Sequence, residues 1–203
     1  MAKPGALIVA GFDGARHDDA TALVCVEVET GHCWLQAVWE RPEKVDDWEV
    51  PENEVTAAVA EMFDRWRVWR LYCDPPYWES TVASWGARFR GVDRKQAVVL
   101  WWTNRWRQVG YACRALAGAI RSGEIHHVVD DGDDVLSRHV RNAVRRTVNA
   151  RDEEGRQLWA LAKPAPGRKI DAAMALVLAW EARNDAIAAG AQAHRKARAM
   201  GFR

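Results

Sequence analysis

The pattern of apolar residues along the chain switches between two periods, which predicts strands that alternate with helices. The apolar run at residues 6–10 is followed by Gly11 and ends at Asp13, as is typical of a strand buried on both faces. Two further β-rich runs, at residues 22–28 and 33–39, are joined by a connection of hairpin length. These three runs predict an antiparallel three-strand meander.

The rest of the chain alternates helical stripes with strand-like runs. Apolar residues recur at helical spacing from Pro51 to Trp66, and the next apolar run ends at Asp74. The further elements that we expect are a helix at 78–89, a strand at 97–102, a helix from 106 to near Gly123, a short run at 125–129, a helix at 134–148, a hairpin with its tip at 151–156 and a last helix from 170 to about 189. This order predicts a mixed α/β fold with helices on both faces of the sheet.

Length and composition indicate one globular domain. The chain has 203 residues, of which 49% are hydrophobic and 28% charged, values near the globular average. We expect a domain at residues 1–190 and a basic, flexible tail at residues 191–203. No apolar run has the roughly 18–20 residues that a membrane span needs, and the first residues do not read as a signal peptide. We therefore expect neither secretion nor contact with a membrane.

Charges are distributed unevenly, although 29 Lys and Arg nearly cancel 28 Asp and Glu. Residues 40–61 hold eight acidic side chains against two basic ones, whereas residues 138–156 hold six arginines against three acids. Such an asymmetry would orient a polyanionic ligand towards the basic part of the protein and away from the acidic part.

Three aspartates stand where side chains converge in folds of this kind. Asp13 ends the first strand, Asp74 ends the fourth, and Asp171 opens the last helix on its apolar side. Each could singly be a turn former or a helix-start residue, but three carboxylates that meet repel one another without a counter-ion. Oxygen ligands suit Mg²⁺ or Mn²⁺, and two such ions can activate water for phosphodiester cleavage. The presence of an aspartate at two strand ends and at one helix start therefore predicts a metal site.

Basic residues in the second half are candidates for contacts with phosphate. Arg138, Arg141 and Arg145 share one side of the helix predicted at 134–148, opposite its apolar side. Lys169, two residues before Asp171, could offset negative charge or contact phosphate. The alternative for these residues is a solvated surface.

The tryptophans and His17 each allow two interpretations, whereas the cysteines allow one. Most of the 12 tryptophans fit helical apolar stripes and are expected in the core. Trp101 and Trp102, with Trp106 near Arg105 and Arg107, could instead form a surface that stacks on nucleic acid. His17 could act as a general base or be a loop histidine. The 4 cysteines lack zinc-ligand spacing and are expected to be reduced, mostly buried thiols.

The order of these residues resembles the ribonuclease H-like nucleases, and more closely the nuclease domain of the large terminase subunit of tailed bacteriophages. Residues 11–23, with Asp19 and Thr21 as a trailing Asp-x-Thr, look like the first motif of that family. The stretch Tyr72-Cys73-Asp74-Pro75 is similar to the second motif, and residues 169–175 are similar to the third. Residues 139–143, followed by Lys163, resemble the segment that precedes the third motif.

The resemblance implies a ribonuclease H-like fold and a metal-dependent endonuclease. Such an enzyme would cut concatemeric double-stranded DNA during genome packaging, in the cytoplasm of the infected bacterial host. Asp13, Asp74 and Asp171, with Asp19 as a further candidate, would bind two Mg²⁺ or Mn²⁺ ions. The implied partners are an ATPase motor domain, the portal and the small terminase subunit. Because no Gly-x-x-x-x-Gly-Lys-Ser/Thr loop occurs in the sequence, we expect the motor to lie outside this chain.

Alternative functions stay open beside this hypothesis. A Holliday-junction resolvase-like nuclease of the same fold would prefer branched DNA to linear duplex. A non-catalytic docking module of a packaging motor would need no metal. An actin-like sugar kinase also ends its first strand in Gly-x-Asp, but it needs a second nucleotide-binding half for which 203 residues leave too little chain.

Overall fold

A mixed six-strand sheet forms the centre of the computed structural model. The structure describes residues 1–17, 19–42, 44–129, 134–165 and 167–191. In chain order, the strands of this sheet are β1 (Leu7–Asp13), β2 (Thr21–Glu27), β3 (His32–Trp39), β4 (Arg67–Cys73), β5 (Val98–Leu100) and β6 (His126–His127). They lie in the order β5-β4-β1-β2-β3-β6, in which the β1–β2 and β2–β3 pairs are antiparallel and the β5–β4, β4–β1 and β3–β6 pairs are parallel. The predicted meander is confirmed.

Helices pack on both faces of this sheet, as predicted. The helices are α1 (Glu52–Arg65), α2 (Glu79–Arg88), α3 (Trp106–Ser122), α4 (Val135–Asn142) and α5 (Asp171–Ala188), and a separate hairpin is formed by β7 (Val144–Arg151) and β8 (Gln157–Ala162). Strand β1 contributes Val9 to the apolar cluster with α3, α5 and the hairpin, and Phe12 to the cluster with α1 and α2. Because both faces of β1 are buried, its successive residues up to Phe12 are apolar and form a continuous apolar run in the sequence.

Helix α5 lies directly against β1 because Gly11 has no side chain. A Cβ atom at Gly11 would lie 2.0 Å from the carbonyl oxygen of Ala175 and 2.5 Å from the amide nitrogen of Ala179. No side chain fits at such a distance from helix backbone, so glycine is required there. The close approach brings the first turn of α5, with Asp171, towards the end of β1, with Asp13.

The prediction of a helix at 134–148 is wrong for the residues after Asn142. Helix α4 ends there, and β7 begins at Val144, which pairs with Ala162 of β8. The β-branched residues of this stretch favour a pleated strand, and Val148 is buried against the core. Arg145 therefore lies on a strand, and the predicted helical stripe of three arginines does not exist.

Buried cysteines and tryptophans largely follow the expectations. All four cysteines are free and buried. Trp66, Trp78, Trp85 and Trp180 are core residues. Of the candidate stacking surface, Trp101 is also buried in the core, whereas Trp106 is 41% exposed. In the part of the chain that the structure describes, no helix has the length and apolar character to cross a membrane. Residues 192–203 of the predicted tail lie outside the described residues, as does Asp18 of the first motif.

Candidate metal centre

Asp13 and Asp74 lie side by side at one edge of the sheet. Phe12 is the register partner of Cys73, and the amide of Asp74 donates a hydrogen bond of 3.0 Å to the carbonyl oxygen of Phe12. Because β1 and β4 are parallel, both strands end at the same edge, and the following side chains converge there.

Thr103, in the segment after β5, holds the carboxylate of Asp74. Its backbone amide donates to Oδ1 of Asp74 at 3.2 Å, and its hydroxyl donates to Oδ2. Burial raises the pKa of Asp74, and these hydrogen bonds oppose the rise. The role of Thr103 could not be predicted from the sequence, because its contact with Asp74 joins residues 29 positions apart and follows no periodic pattern.

Asp171 opens α5 and carries an unsatisfied buried oxygen. The residue is 7% exposed, and its Oδ2 has no hydrogen-bond partner among the described residues. A buried carboxylate oxygen without a donor or a cation costs free energy, and such atoms are rare in folded proteins. The atom therefore marks a place where a positive partner fits.

The three carboxylates interact electrostatically. Burial raises the pKa of Asp13 well above its usual range, and repulsion from Asp171 and from Asp74 raises it further. Burial also raises the pKa of Asp171, while Lys163 opposes the rise. The structure thus brings Asp13, Asp74 and Asp171 into one region of negative charge, where a cation would relieve the repulsion.

Lys163 supplies positive charge between Asp19 and Asp171. Its Nζ donates to Oδ1 of Asp19 and lies 4.0 Å from Oδ1 of Asp171. Lys169 also approaches Asp19, with 3.4 Å between Nζ and Oδ1. Burial alone would raise the pKa of Asp19, but the hydrogen bonds from Lys163 and Lys169 hold it below its usual value. Lys163 carries no local sequence signal of a role in the site, because a single lysine after a strand gives no indication of partners so distant in sequence.

The donor set suits a divalent cation, although the described arrangement is not a closed ligand shell. Carboxylate oxygens are the ligands that Mg²⁺ and Mn²⁺ prefer, and Oδ2 of Asp171 is open to a partner. Among the described residues, no group of three or more His, Cys, Asp or Glu side chains is yet close enough to enclose one ion. Thr103 and Lys163 each occupy part of the acceptor capacity of Asp74 and Asp19, and the remaining lone pairs of these carboxylates are the positions available to an ion.

The candidate phosphate-binding residues are spread over two elements. Arg138, on α4, donates to Oε2 of Glu40 at 2.6 Å. Arg141 is exposed one turn further on the same helix. Arg145, on β7, places its guanidinium 4.4 Å from the ring centroid of Trp159. His17 is exposed in the loop after β1.

Sequence comparison finds relatives among phage proteins, although no family model matches the chain. The Gene 13 proteins of Mycobacterium phages D29 and L5 are 32% and 31% identical to it over 186 residues. These alignments cover 89% of this chain, which spans about 30% of the length of those curated relatives.

Structure comparison identifies the fold. The large terminase nuclease from thermophilic phage G20c matches 88% of this chain and 85% of its own, with a TM-score of 0.58 and 15% identity. The same nuclease with bound magnesium matches with a TM-score of 0.58 and 13% identity, over 88% of this chain and 84% of its own. The HK97 bacteriophage large terminase matches 89% of this chain and 40% of its own, with a TM-score of 0.65 and 18% identity. The chain therefore has the ribonuclease H-like fold of the nuclease domain of phage large terminases.

Proposed function

We propose that this chain is a divalent-metal-dependent endonuclease that cuts concatemeric double-stranded DNA as the nuclease domain of a large terminase subunit. The observation that carries the proposal is the unsatisfied buried Oδ2 of Asp171, next to the strand ends that carry Asp13 and Asp74. The fold shared with large terminase nucleases, one of which contains bound magnesium, supports the same chemistry.

Asp13, Asp74 and Asp171 hold two Mg²⁺ or Mn²⁺ ions in this proposal, with Asp19 as a further ligand. Two such ions would supply a water molecule activated for attack and a positive charge beside the leaving oxygen of the phosphodiester. The chain itself orients the ligands: Thr103 fixes the carboxylate of Asp74 through two hydrogen bonds. Lys163 balances the charge of Asp19 and Asp171.

Arginine and lysine side chains near the site contact the DNA backbone in this proposal. Arg141 and Arg145 are exposed, and Lys169 is partly exposed beside Asp19. Arg138 belongs to the proposed set, but Glu40 already compensates part of its charge. Phosphate contacts of this kind are independent of sequence, as suits an enzyme that cuts with little sequence preference.

The chain acts with partners in this proposal. An ATPase motor domain supplies translocation, and the portal and the small terminase subunit complete the packaging machine. The reaction takes place in the cytoplasm of the infected bacterial host.

Plasmid cleavage tests the proposed function. The protein is expected to nick and linearise plasmid DNA with Mn²⁺ or Mg²⁺ and to be inactive with EDTA. Asp74→Asn is expected to lose cleavage but keep the fold, because asparagine retains an acceptor for the Thr103 amide. Asp64→Asn, an exposed position on α1, is the matched control.

Two other outcomes would contradict the proposal. A strong preference for a four-way junction over linear duplex would identify a resolvase-like nuclease. Absence of both metal binding and cleavage in the folded protein would favour a docking module.

A further inference from the structure

Helix α4 holds the backbone on both sides of Asp171. His139, which is completely buried, accepts at Nδ1 a hydrogen bond of 3.0 Å from the amide of Ala172. Asn142 donates from Nδ2 to the carbonyl oxygen of Lys169 at 2.9 Å. One contact lies just after Asp171 and the other just before it, so α4 fixes the segment from which this carboxylate projects.

The contact from His139 replaces a missing helix cap. The first amides of a helix have no intrahelical partner, and a polar side chain at the N-cap position usually accepts from them. The N-cap of α5 is Ile170, which makes no such hydrogen bond. His139 reaches across from another helix and satisfies the amide of Ala172 instead.

Glu40 sets the orientation of the His139 ring. Because an amide can only donate, Nδ1 of His139 carries no proton, and Nε2 donates to Oε1 of Glu40 at 3.0 Å. Arg138 donates to the other oxygen of Glu40 at 2.6 Å. The acceptor is thus held in place, and the ring has one tautomer and one orientation.

The two buried aspartates of the site are held in different ways. Thr103 fixes Asp74 through its carboxylate, whereas Oδ2 of Asp171 has no partner among the described residues. The direction of the Asp171 carboxylate therefore depends mainly on the backbone of the first turn of α5.

We propose that His139, oriented by Glu40 and assisted by Asn142, is a positioning residue that aims Asp171 at Asp13 and Asp74. The inference rests on the proposed function, because the purpose of this orientation is metal binding. His139 touches neither metal nor DNA in this account and acts only through the backbone of Ala172.

The test compares three variants of the intact chain. His139→Leu removes the acceptor and keeps most of the volume, while His139→Asn keeps an acceptor near the position of Nδ1. Leu136→Ala removes buried apolar contacts from the same helix without touching Asp171 and is the matched control. The readouts are Mn²⁺ affinity by calorimetry and, without metal, hydrogen exchange at the Ala172 amide by NMR.

His139→Leu is expected to weaken Mn²⁺ binding about 10- to 100-fold, as substitutions behind metal ligands commonly do. Exchange at Ala172 should accelerate in the same variant, and His139→Asn should recover part of both properties. Leu136→Ala should lower the melting temperature but leave both readouts near wild type. Equal effects in His139→Leu and Leu136→Ala, or wild-type Mn²⁺ affinity in His139→Leu, would overturn the inference.

A failure of the proposed function gives a different result from a failure of this inference. If the wild-type protein binds no Mn²⁺, the metal site is absent, and exchange at Ala172 alone decides whether His139 positions the turn. If His139→Leu does not fold, the partly exposed Asn142→Ala replaces it. Asn142→Ala is expected to weaken Mn²⁺ binding by a smaller factor, and unchanged Mn²⁺ affinity and exchange in that variant would overturn the inference.

Discussion

Lys163 faces Asp171 across the candidate site, with 4.0 Å between Nζ and Oδ1. Asp19 holds the ammonium group there by accepting its hydrogen bond. Positive charge is thus present beside the carboxylates without a metal, and it opposes the rise in the pKa of Asp13 and of Asp171. Lys163 and a bound cation are therefore competitors for the same negative charge.

Lys163→Met is expected to tighten Mn²⁺ binding about 3- to 10-fold, because the competing ammonium is lost. The metal-free protein should melt at a lower temperature, since the repulsion among the carboxylates is then compensated less. Calorimetry and thermal melts measure the two effects, with the exposed Lys3→Met as the control. Weaker Mn²⁺ binding by Lys163→Met would show that the lysine supports the ions and does not compete with them.

Gly11→Ala is expected to destabilise the protein by about 3 kcal/mol, because the new Cβ would overlap the backbone of α5. The corresponding loss in melting temperature is about 6–12 °C. Gly118→Ala on α3 is the control: a Cβ there meets no atom within 4 Å, so helix propensity predicts a small gain in stability. Equal melting temperatures for the two variants would exclude the tight packing of α5 on β1.

The sequence predicted the elements whose signals are local. The apolar run before Asp13 and the prolines after Asp74 mark strand ends, and a strand end fixes where its last side chain emerges. The boundary between α4 and β7 was missed, because the arginines of 138–145 fit a helical stripe equally well. Pairing with β8 and burial of Val148 decide in favour of a strand.

The partners of the site residues could not be predicted from sequence. Lys163 contacts Asp19, which lies 144 positions earlier in the chain, and the contact of His139 with the amide of Ala172 depends on how two helices pack. Contacts of this kind leave no periodic pattern in a single chain. They follow from tertiary structure alone.

Glu181→Gln is expected to stabilise the protein above neutral pH. Burial, together with the nearby charge of Asp185, raises the pKa of Glu181 to about 7. A raised carboxyl pKa means that the folded state keeps a proton that the unfolded state releases, so stability falls as pH rises from about 4.5 to about 7.

Solvent screening of this partly exposed side chain limits the gain at pH 8 to about 1 kcal/mol, or about 2–4 °C. Melts of Glu181→Gln and of wild type should coincide near pH 4, and the exposed Glu61→Gln should show no such divergence. A constant difference between Glu181→Gln and wild type at all pH values would refute the electrostatic cause.

Arg145→Gln is expected to weaken duplex binding uniformly across DNA sequences. Each phosphate neutralised by a cationic side chain contributes a slope of about 0.9 to the plot of log affinity against log salt. Fluorescence anisotropy at several salt concentrations should show a slope flatter by about one, whereas Arg88→Gln, at the end of α2, should leave it unchanged. An unaltered slope would remove Arg145 from the DNA-binding surface.

A crystal structure with Mn²⁺ would show whether Asp13, Asp74 and Asp171 form the proposed metal site. Anomalous scattering should place one or two Mn²⁺ ions about 2.0–2.3 Å from oxygens of the three aspartates, one of them at Oδ2 of Asp171. Asp171→Asn crystals, soaked in the same way, should show weaker occupancy or none. Full Mn²⁺ occupancy elsewhere on the protein, with no anomalous peak at these carboxylates, would show that the three aspartates do not form a metal site.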